Sequence, residues 1–255
     1  MKSSWKNIAE PVVFFITLLI LWEILVEVIQ VPSFILPPPG DLWVAFIKKL
    51  PILGHHSVIT FIEAFGGFAL SLFLGVGFAI AVVYSRHLQN TIYPLIVILY
   101  AMPKSAFAPL MVIWIGYGLF SKIAIAFLVA FFPIVVNMVT GLVAIEEELL
   151  DLCRILHSGR WQEFSKVRLP NALPYLFSSL KVASTLSVIG AVIGEFVGGN
   201  EGLGHLIIIA NTELRTSMSF VSLFSLSILG FLLYSLVILA ERVCMPWEKW
   251  QSASA

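Results

Sequence analysis

The strongest constraint on this chain is the recurrence of apolar runs long enough to cross a lipid bilayer. A helix rises ~1.5 Å per residue and the hydrocarbon core is ~30 Å thick, so about 20 mostly apolar residues make a span. Runs of this kind lie at residues 12–31, 58–84, 91–114, 122–143, 173–197 and 220–240. No water is available in lipid to bond backbone amides, so the runs are expected as helices. The expected fold class is all-α: a polytopic integral membrane protein with about six transmembrane helices, as one domain over residues 1–255. Charged residues make up 12% of the chain, against ~25% in soluble domains, and the mean hydropathy is +0.98. That balance excludes a secreted disulfide scaffold, a nucleic-acid binder with a basic face and a disordered charged tail. The two cysteines, Cys153 and Cys244, have no metal-ligand spacing and read as free thiols.

The breaks between the runs differ in character. Pro32 and the Pro37-Pro38-Pro39 run punctuate the end of the first span, and residues 42–50 read as a short interfacial helix. Pro94, Pro103 and Pro109 interrupt the third run, which predicts a broken helix whose freed backbone groups face protein or a water-filled cavity. Residues 146–168 hold nine formal charges and form the one long polar stretch. Within it Leu149, Leu152, Cys153 and Leu156 fall at helical spacing. Residues 161–167 read as a second short helix ended by Leu169-Pro170, residues 198–204 as a Gly-rich loop, and the following residues to Ser219 as further loop. Trp22, Trp43, Trp247 and Trp250 suit membrane-interface anchors.

Lysine and arginine asymmetry orients the chain. With the N-terminus inside, the inner set is Lys2, Lys6, Arg86, Arg154, Arg160, Lys166, Arg168, Arg242 and Lys249. The outer set is Lys48, Lys49, Lys104, Lys122 and Arg215, while Lys181 falls within the fifth span. Nine against five places the N-terminus and the polar stretch in the cytoplasm.

Chemistry-bearing constellations are sparse. The Gly199–Gly204 run is followed by His205, so it lacks the lysine of a phosphate-binding loop. No metal-ligand spacing or paired-carboxylate site stands out, and His55 and His56 read as surface residues. The chain is expected to be no enzyme and to need no cofactor or metal. Gly190, Gly194 and Gly198 recur every fourth residue on the fifth span, as do Gly67, Ser71, Gly75 and Ala79 on the second. Such stripes let helix backbones approach closely, either within the subunit or at a gate. Acids inside spans are costly unless paired or facing water. Glu195, on the glycine-striped face, is therefore a pathway candidate, with a structural role as partner of Lys181 or of a backbone donor as its alternative. Glu23 and Glu27 reach for the outer interface, and Glu63, near a span end, receives no role. Lys104, with Tyr100 beside it at the proline break, is a second pathway candidate.

The polar stretch carries the most specific pattern. Asp151-Leu152-Cys153, three residues, His157, nine residues, Val167 and then Leu169-Pro170 resembles the cytoplasmic-loop motif of ABC-type importer permeases. That motif is usually written Glu-Ala-Ala, three residues, Gly, nine residues, Ile-x-Leu-Pro. His157 stands where the motif has glycine, and Gly159 is the residue expected to supply the turn. Ile35-Leu36-Pro37-Pro38-Pro39 and the segment from Ala108 to Gly118 resemble the nitrate, sulfonate and taurine class of these permeases. The segments Phe131 to Asn137 and Gly190 to Phe196 resemble a narrower branch. In it the cargo is a thiamine precursor or breakdown product, a hydroxymethyl- or formylaminopyrimidine.

The resemblance implies a type I ABC importer permease in a bacterial-type inner membrane. It implies two cytoplasmic ATPase subunits, an extracytoplasmic binding protein and a second permease copy. Residues 146–156 would be the coupling helix, with Leu149, Leu152, Cys153 and Leu156 as an apolar ridge flanked by Asp151 and Arg154. The remaining alternatives are a sulfonate, taurine or nitrate permease and, in another class, a proton-coupled secondary transporter using Glu195 and Glu23.

Overall fold

The computed structural model describes residues 2–246; Trp247, Lys249 and Trp250 lie outside the described residues. The described residues form helices and contain no strand. In chain order they are α1 (Lys2–Ile29), α2 (Pro39–Tyr84), α3 (Tyr93–Ala101), α4 (Ala108–Ile115), α5 (Leu119–Val143), α6 (Glu147–Ile155), α7 (Arg160–Glu163), α8 (Leu169–Gly198), α9 (Leu203–Thr212) and α10 (Thr216–Cys244). Five of these are long and apolar enough to cross a membrane, and the bent pair formed by residues 88–101 and 104–115 makes a sixth crossing.

The bent pair is a crossing because its two ends lie at opposite ends of the bundle. Tyr84, closing α2, packs on Phe164, and Arg168 and Asn171 bond the last carbonyls of α5. At the other end Glu63 of α2 meets Lys122 of α5, and Gly198 of α8 meets Val112 and Tyr117. The chain leaves the first end at Leu88 and arrives at the second by Ile115, so it has crossed. The break has the expected proline cause. Pro103 forces Met102 into an extended conformation, at φ −71 and ψ 146, and the two halves meet at 96°. Lys104 Nζ folds back onto the freed Tyr100 carbonyl, over the Tyr100 ring at 4.5 Å.

Four boundaries differ from the sequence reading. Residues 42–50 are no separate interfacial helix, because α2 runs unbroken through Pro51 for 46 residues. Pro51 lies on an exposed turn, where the carbonyl it frees is not sealed in the core. A helix of that length measures ~69 Å, so α2 extends well beyond the hydrocarbon slab. Second, Leu169-Pro170 opens α8 rather than ending a short helix. A π-turn over Phe164–Arg168 joins α7 to α8, and Pro170 sits in the first turn, where a missing N–H costs least. Third, the stretch to Ser219 is not loop: Leu203–Thr212 is helical, and α10 starts at Thr216. Fourth, the Gly-rich loop is shorter than expected, since α8 runs to Gly198 and the next helix begins at Leu203.

The core is α5 sandwiched between α2 and α8, and small residues set the spacing. A Cβ on Gly67 would stand 2.4 Å from Ala126 Cβ, and one on Gly190 would stand 2.6 Å from Ala126 Cα. A Cβ on Gly75 would stand 3.0 Å from Ile134 Cγ2, and one on Gly194 would stand 3.1 Å from Lys122 Cα. Gly67, Gly75, Gly190 and Gly194 therefore face α5 of the same subunit and Gly198 faces Val112 and Tyr117, the packing alternative of the two raised by the sequence. Close approach in lipid is stabilised by dispersion and by bonds such as Ser71 Oγ donating to the Phe127 carbonyl at 3.0 Å. By contrast α1 leaves Phe14, Phe15 and Val28 exposed, as a lipid-facing helix does.

Candidate functional site

Two polar regions stand at opposite ends of the bundle. At the first, α6 carries acids in its opening turn and Arg154 in its last, which suits the helix dipole. Leu149, Leu152, Ile155 and Leu156 are all exposed, and Cys153 is half-buried. Asp151 and Arg154 pair beside them at 2.6 Å on the surface. The apolar residues expected from spacing are therefore exposed apart from the half-buried Cys153, Ile155 on the same helix adds to them, and Trp161 of α7 is exposed as well.

The turn after α6 corrects one expectation. Gly159 does not supply the left-handed residue; it is extended, at φ −67 and ψ 155, and opens α7. His157 supplies it, at φ +51. The His157 N–H donates to the Arg154 carbonyl at 3.1 Å and the Ser158 N–H to the Cys153 carbonyl at 2.9 Å. These are the two bonds of a Schellman cap. His157 thus takes the conformation that the motif's glycine adopts freely. The base of the region is held by Arg168, which bonds Glu163 and the Leu142 carbonyl, and by Asn171, which bonds the Gly141 and Ala144 carbonyls. Their signal in the sequence was weak, because satisfying the end of α5 is visible only once the loop folds back.

At the opposite end the buried groups converge from four elements. Glu63 is fully buried in the middle of α2, and its Oε1 accepts from Lys122 Nζ at 2.7 Å. The same ammonium donates to the Glu201 carbonyl at 3.1 Å. Lys122 is therefore no loop cation, and it leaves the outer set of the charge tally. Glu195 is also buried, and its partner is not Lys181, which pairs with Glu241 at 2.6 Å. Instead Glu195 Oε1 accepts from Thr60 Oγ1 at 2.6 Å and Oε2 accepts from the Gly204 N–H. Thr60 Oγ1 accepts from the Leu203 N–H at 2.9 Å, and His56 Nδ1 accepts from the Gly202 N–H at 2.9 Å.

Three side chains thus satisfy the first amides of α9, the donors a helix start leaves unpaired. The turn needs glycine here: Gly202 has φ +114, and a Cβ on it would stand 2.0 Å from Glu195 Oε1. Glu23 does the same for α2 by accepting the Gly40 N–H at 3.0 Å, while Glu27 is exposed. Of the sequence candidates, Glu195 lies in this cluster, and Lys104 and Tyr100 lie apart at the broken span. Glu63, Lys122, Thr60 and His56 were missed. Beside the Glu63–Lys122 pair lies a cavity of about 520 Å³, whose lining includes Tyr117, Asn200 and Glu201.

The comparisons agree with this architecture. The riboflavin transport system permease protein RibX of Chloroflexus aurantiacus is 37% identical, over 97% of this chain and 92% of its own length. The formylaminopyrimidine transport permease protein ThiX of Halalkalibacterium halodurans is 33% identical, over 98% of this chain and all of its own. A chain of the MetNI methionine ABC transporter, solved in inward-facing conformations, superposes with a TM-score of 0.59. It covers 80% of this chain and 98% of its own at 21% identity, which shows the fold of a type I importer permease. Residues 71–244, from the second span through the last, match one family, and the chain belongs to it: the binding-protein-dependent transport system inner membrane components, the permease subunits of ABC importers.

Proposed function

We propose that two copies of this chain form the pathway of an importer for a pyrimidine related to thiamine, a hydroxymethyl- or formylaminopyrimidine. The N-terminus and α6 lie in the cytoplasm, two ATPase subunits dock on α6, and a binding protein delivers cargo at the α9 end. The observation that carries this reading is the α6 ridge, an uncovered apolar face on a short helix flanked by charge. An exposed apolar strip rimmed by polar groups in an otherwise polar loop marks a protein contact. ATP-driven closure of the ATPases then moves α6, and the α2–α5–α8 core follows as a rigid unit because its backbones are in contact.

Cargo meets the pathway at the broken third span. Tyr100 is exposed there and stacked near Phe132 at 6.3 Å, with the Lys104 ammonium over both rings. An aromatic face with a cation beside it suits a flat nitrogen heterocycle. Glu195 acts through the turn that it holds rather than by touching cargo. The full-length kinship with a formylaminopyrimidine permease supports the pyrimidine, and the riboflavin relative favours a second reading, since riboflavin also contains a pyrimidine ring.

The test is uptake into proteoliposomes holding the permease, its ATPase and its binding protein. Labelled formylaminopyrimidine should accumulate with ATP, and unlabelled hydroxymethylpyrimidine should compete. Accumulation of riboflavin, taurine or nitrate with no pyrimidine uptake would overturn the cargo assignment.

A further inference from the structure

The Glu63–Lys122 pair joins three elements through one ammonium. Lys122 Nζ reaches Glu63 of α2 at 2.7 Å and the Glu201 carbonyl of the turn before α9 at 3.1 Å. The other side-chain bonds to this turn and to the first turn of α9 come from His56 and Thr60 of α2 and from Glu195 of α8. Among the described hydrogen bonds, Lys122 is therefore the tie from α5 to the turn.

As a device for stability the pair is poorly built. Two charges withdrawn from water regain little over apolar groups of the same size unless every lone pair is matched. Here Glu63 Oε2 is buried and receives no hydrogen-bond donor, and the buried Glu195 carboxyl group is its neighbour. The surroundings are also uneven. One helical turn along α5, Ala126 is pressed between Gly67 and Gly190 with no space to give. Beside the pair is the cavity of about 520 Å³, lined by both of its members and by Tyr117, Asn200 and Glu201. The two charges therefore have free volume on one side, whereas the backbones around Ala126 are already in contact.

We propose that the Glu63–Lys122 pair is a latch that holds the residue 199–202 turn against α2 and α5, and that it parts when this end of the permease opens during transport. The crossing at Ala126 is the pivot below it. Binding protein shifts the subunit toward the open state by contacting that state better, and removal of the latch shifts it the same way. Glu63 and Lys122 are positioning residues, and neither is required to touch cargo. The inference rests on the importer reading and its orientation, not on the identity of the cargo.

The test uses the assembled transporter in nanodiscs. The double variant Glu63→Gln/Lys122→Met removes the attraction and leaves neither member of the pair charged. Its ATP hydrolysis in the absence of binding protein should rise by about fivefold or more, with stimulation by binding protein falling in proportion. Lys122→Arg should keep the wild-type ratio. A double variant with reduced thermal stability and an unchanged ratio would make the pair a strut and end the proposal. Stimulation of the wild-type complex reports the importer reading separately. Hydrogen exchange on the wild-type complex needs no variant. The amides of Gly202, Leu203 and Gly204 should exchange faster with a non-hydrolysable ATP analogue bound than in its absence, and equal exchange would also overturn the latch.

Discussion

The two ends of this permease each carry an ion pair of nearly the same length and of opposite physical meaning. Lys122–Glu63 spans 2.7 Å, with side chains 7% and 1% exposed; Arg154–Asp151 spans 2.6 Å, with side chains 77% and 61% exposed. Distance alone would rank them as equals. Burial separates them, because the Lys122–Glu63 pair has given up water and the Arg154–Asp151 pair has not. The buried pair cannot lose one member cheaply, and the surface pair can lose either. The same contrast runs through the two regions. At the α9 end polar groups are spent on one another and on the backbone, while at the α6 end apolar groups are left without partners. The first arrangement holds a structure, and the second awaits one.

The sharpest way to break the comparison is to remove one cation from each pair. Lys122→Met strands a buried carboxylate and should cost about 3–5 kcal/mol. Arg154→Met should cost less than ~1 kcal/mol, as exposed pairs do. Thermal unfolding of both variants in the same detergent measures the difference. Equal shifts would mean that the Glu63 site is wetter than its burial indicates.

A smaller effect, on association rather than folding, is expected at the α6 ridge. Leu152→Glu places a charge in the centre of the proposed docking face and should weaken ATPase association by roughly 2 kcal/mol or more, the cost of a lost interface anchor. Membrane insertion and unfolding temperature should stay at wild-type values, because Leu152 is exposed in the isolated subunit. Co-purification of the ATPase at wild-type yield would remove α6 from the interface.

The ends also differ in how far the sequence disclosed them. The α6 ridge was legible because its signal is local: four apolar residues at helical spacing among charges can be read within one stretch of chain. Ile155 was missed because it falls just outside that spacing. The α9 end is built from contacts between distant positions, with Glu63 and Lys122 separated by 59 residues and Thr60 and Glu195 by 135. Ending a short helix at residue 50 and starting the second span at residue 58 placed Glu63 near a helix start, where an acid is unremarkable. The continuous α2 puts it in the middle of a helix and buried against α5, where an acid needs a partner. Lys122 followed the same error, since a lysine at the head of a span counts as a loop cation until the fold shows it turned inward. The broken third span was legible for the opposite reason, because a proline acts on its immediate neighbour wherever it sits.

The smallest expected effect tests the turn that joins the ridge to the bundle. His157 at φ +51 pays for a left-handed conformation that glycine adopts without steric cost, and that penalty is about 1–2 kcal/mol for an ordinary side chain. Part of the gain from His157→Gly is lost to the greater freedom of glycine in the unfolded chain, so a net stabilisation of about 0.5–1 kcal/mol is expected. The Nδ1 contact to the Ile155 carbonyl at 3.1 Å is the one hydrogen bond of the side chain given up. Gly159→Ala should be neutral, because Gly159 is extended and a Cβ there meets nothing within 4 Å. Measured side by side, the two variants decide which residue makes the turn. A stabilising His157→Gly with a silent Gly159→Ala places the turn at His157. A destabilising Gly159→Ala would return it to the residue that spacing had nominated.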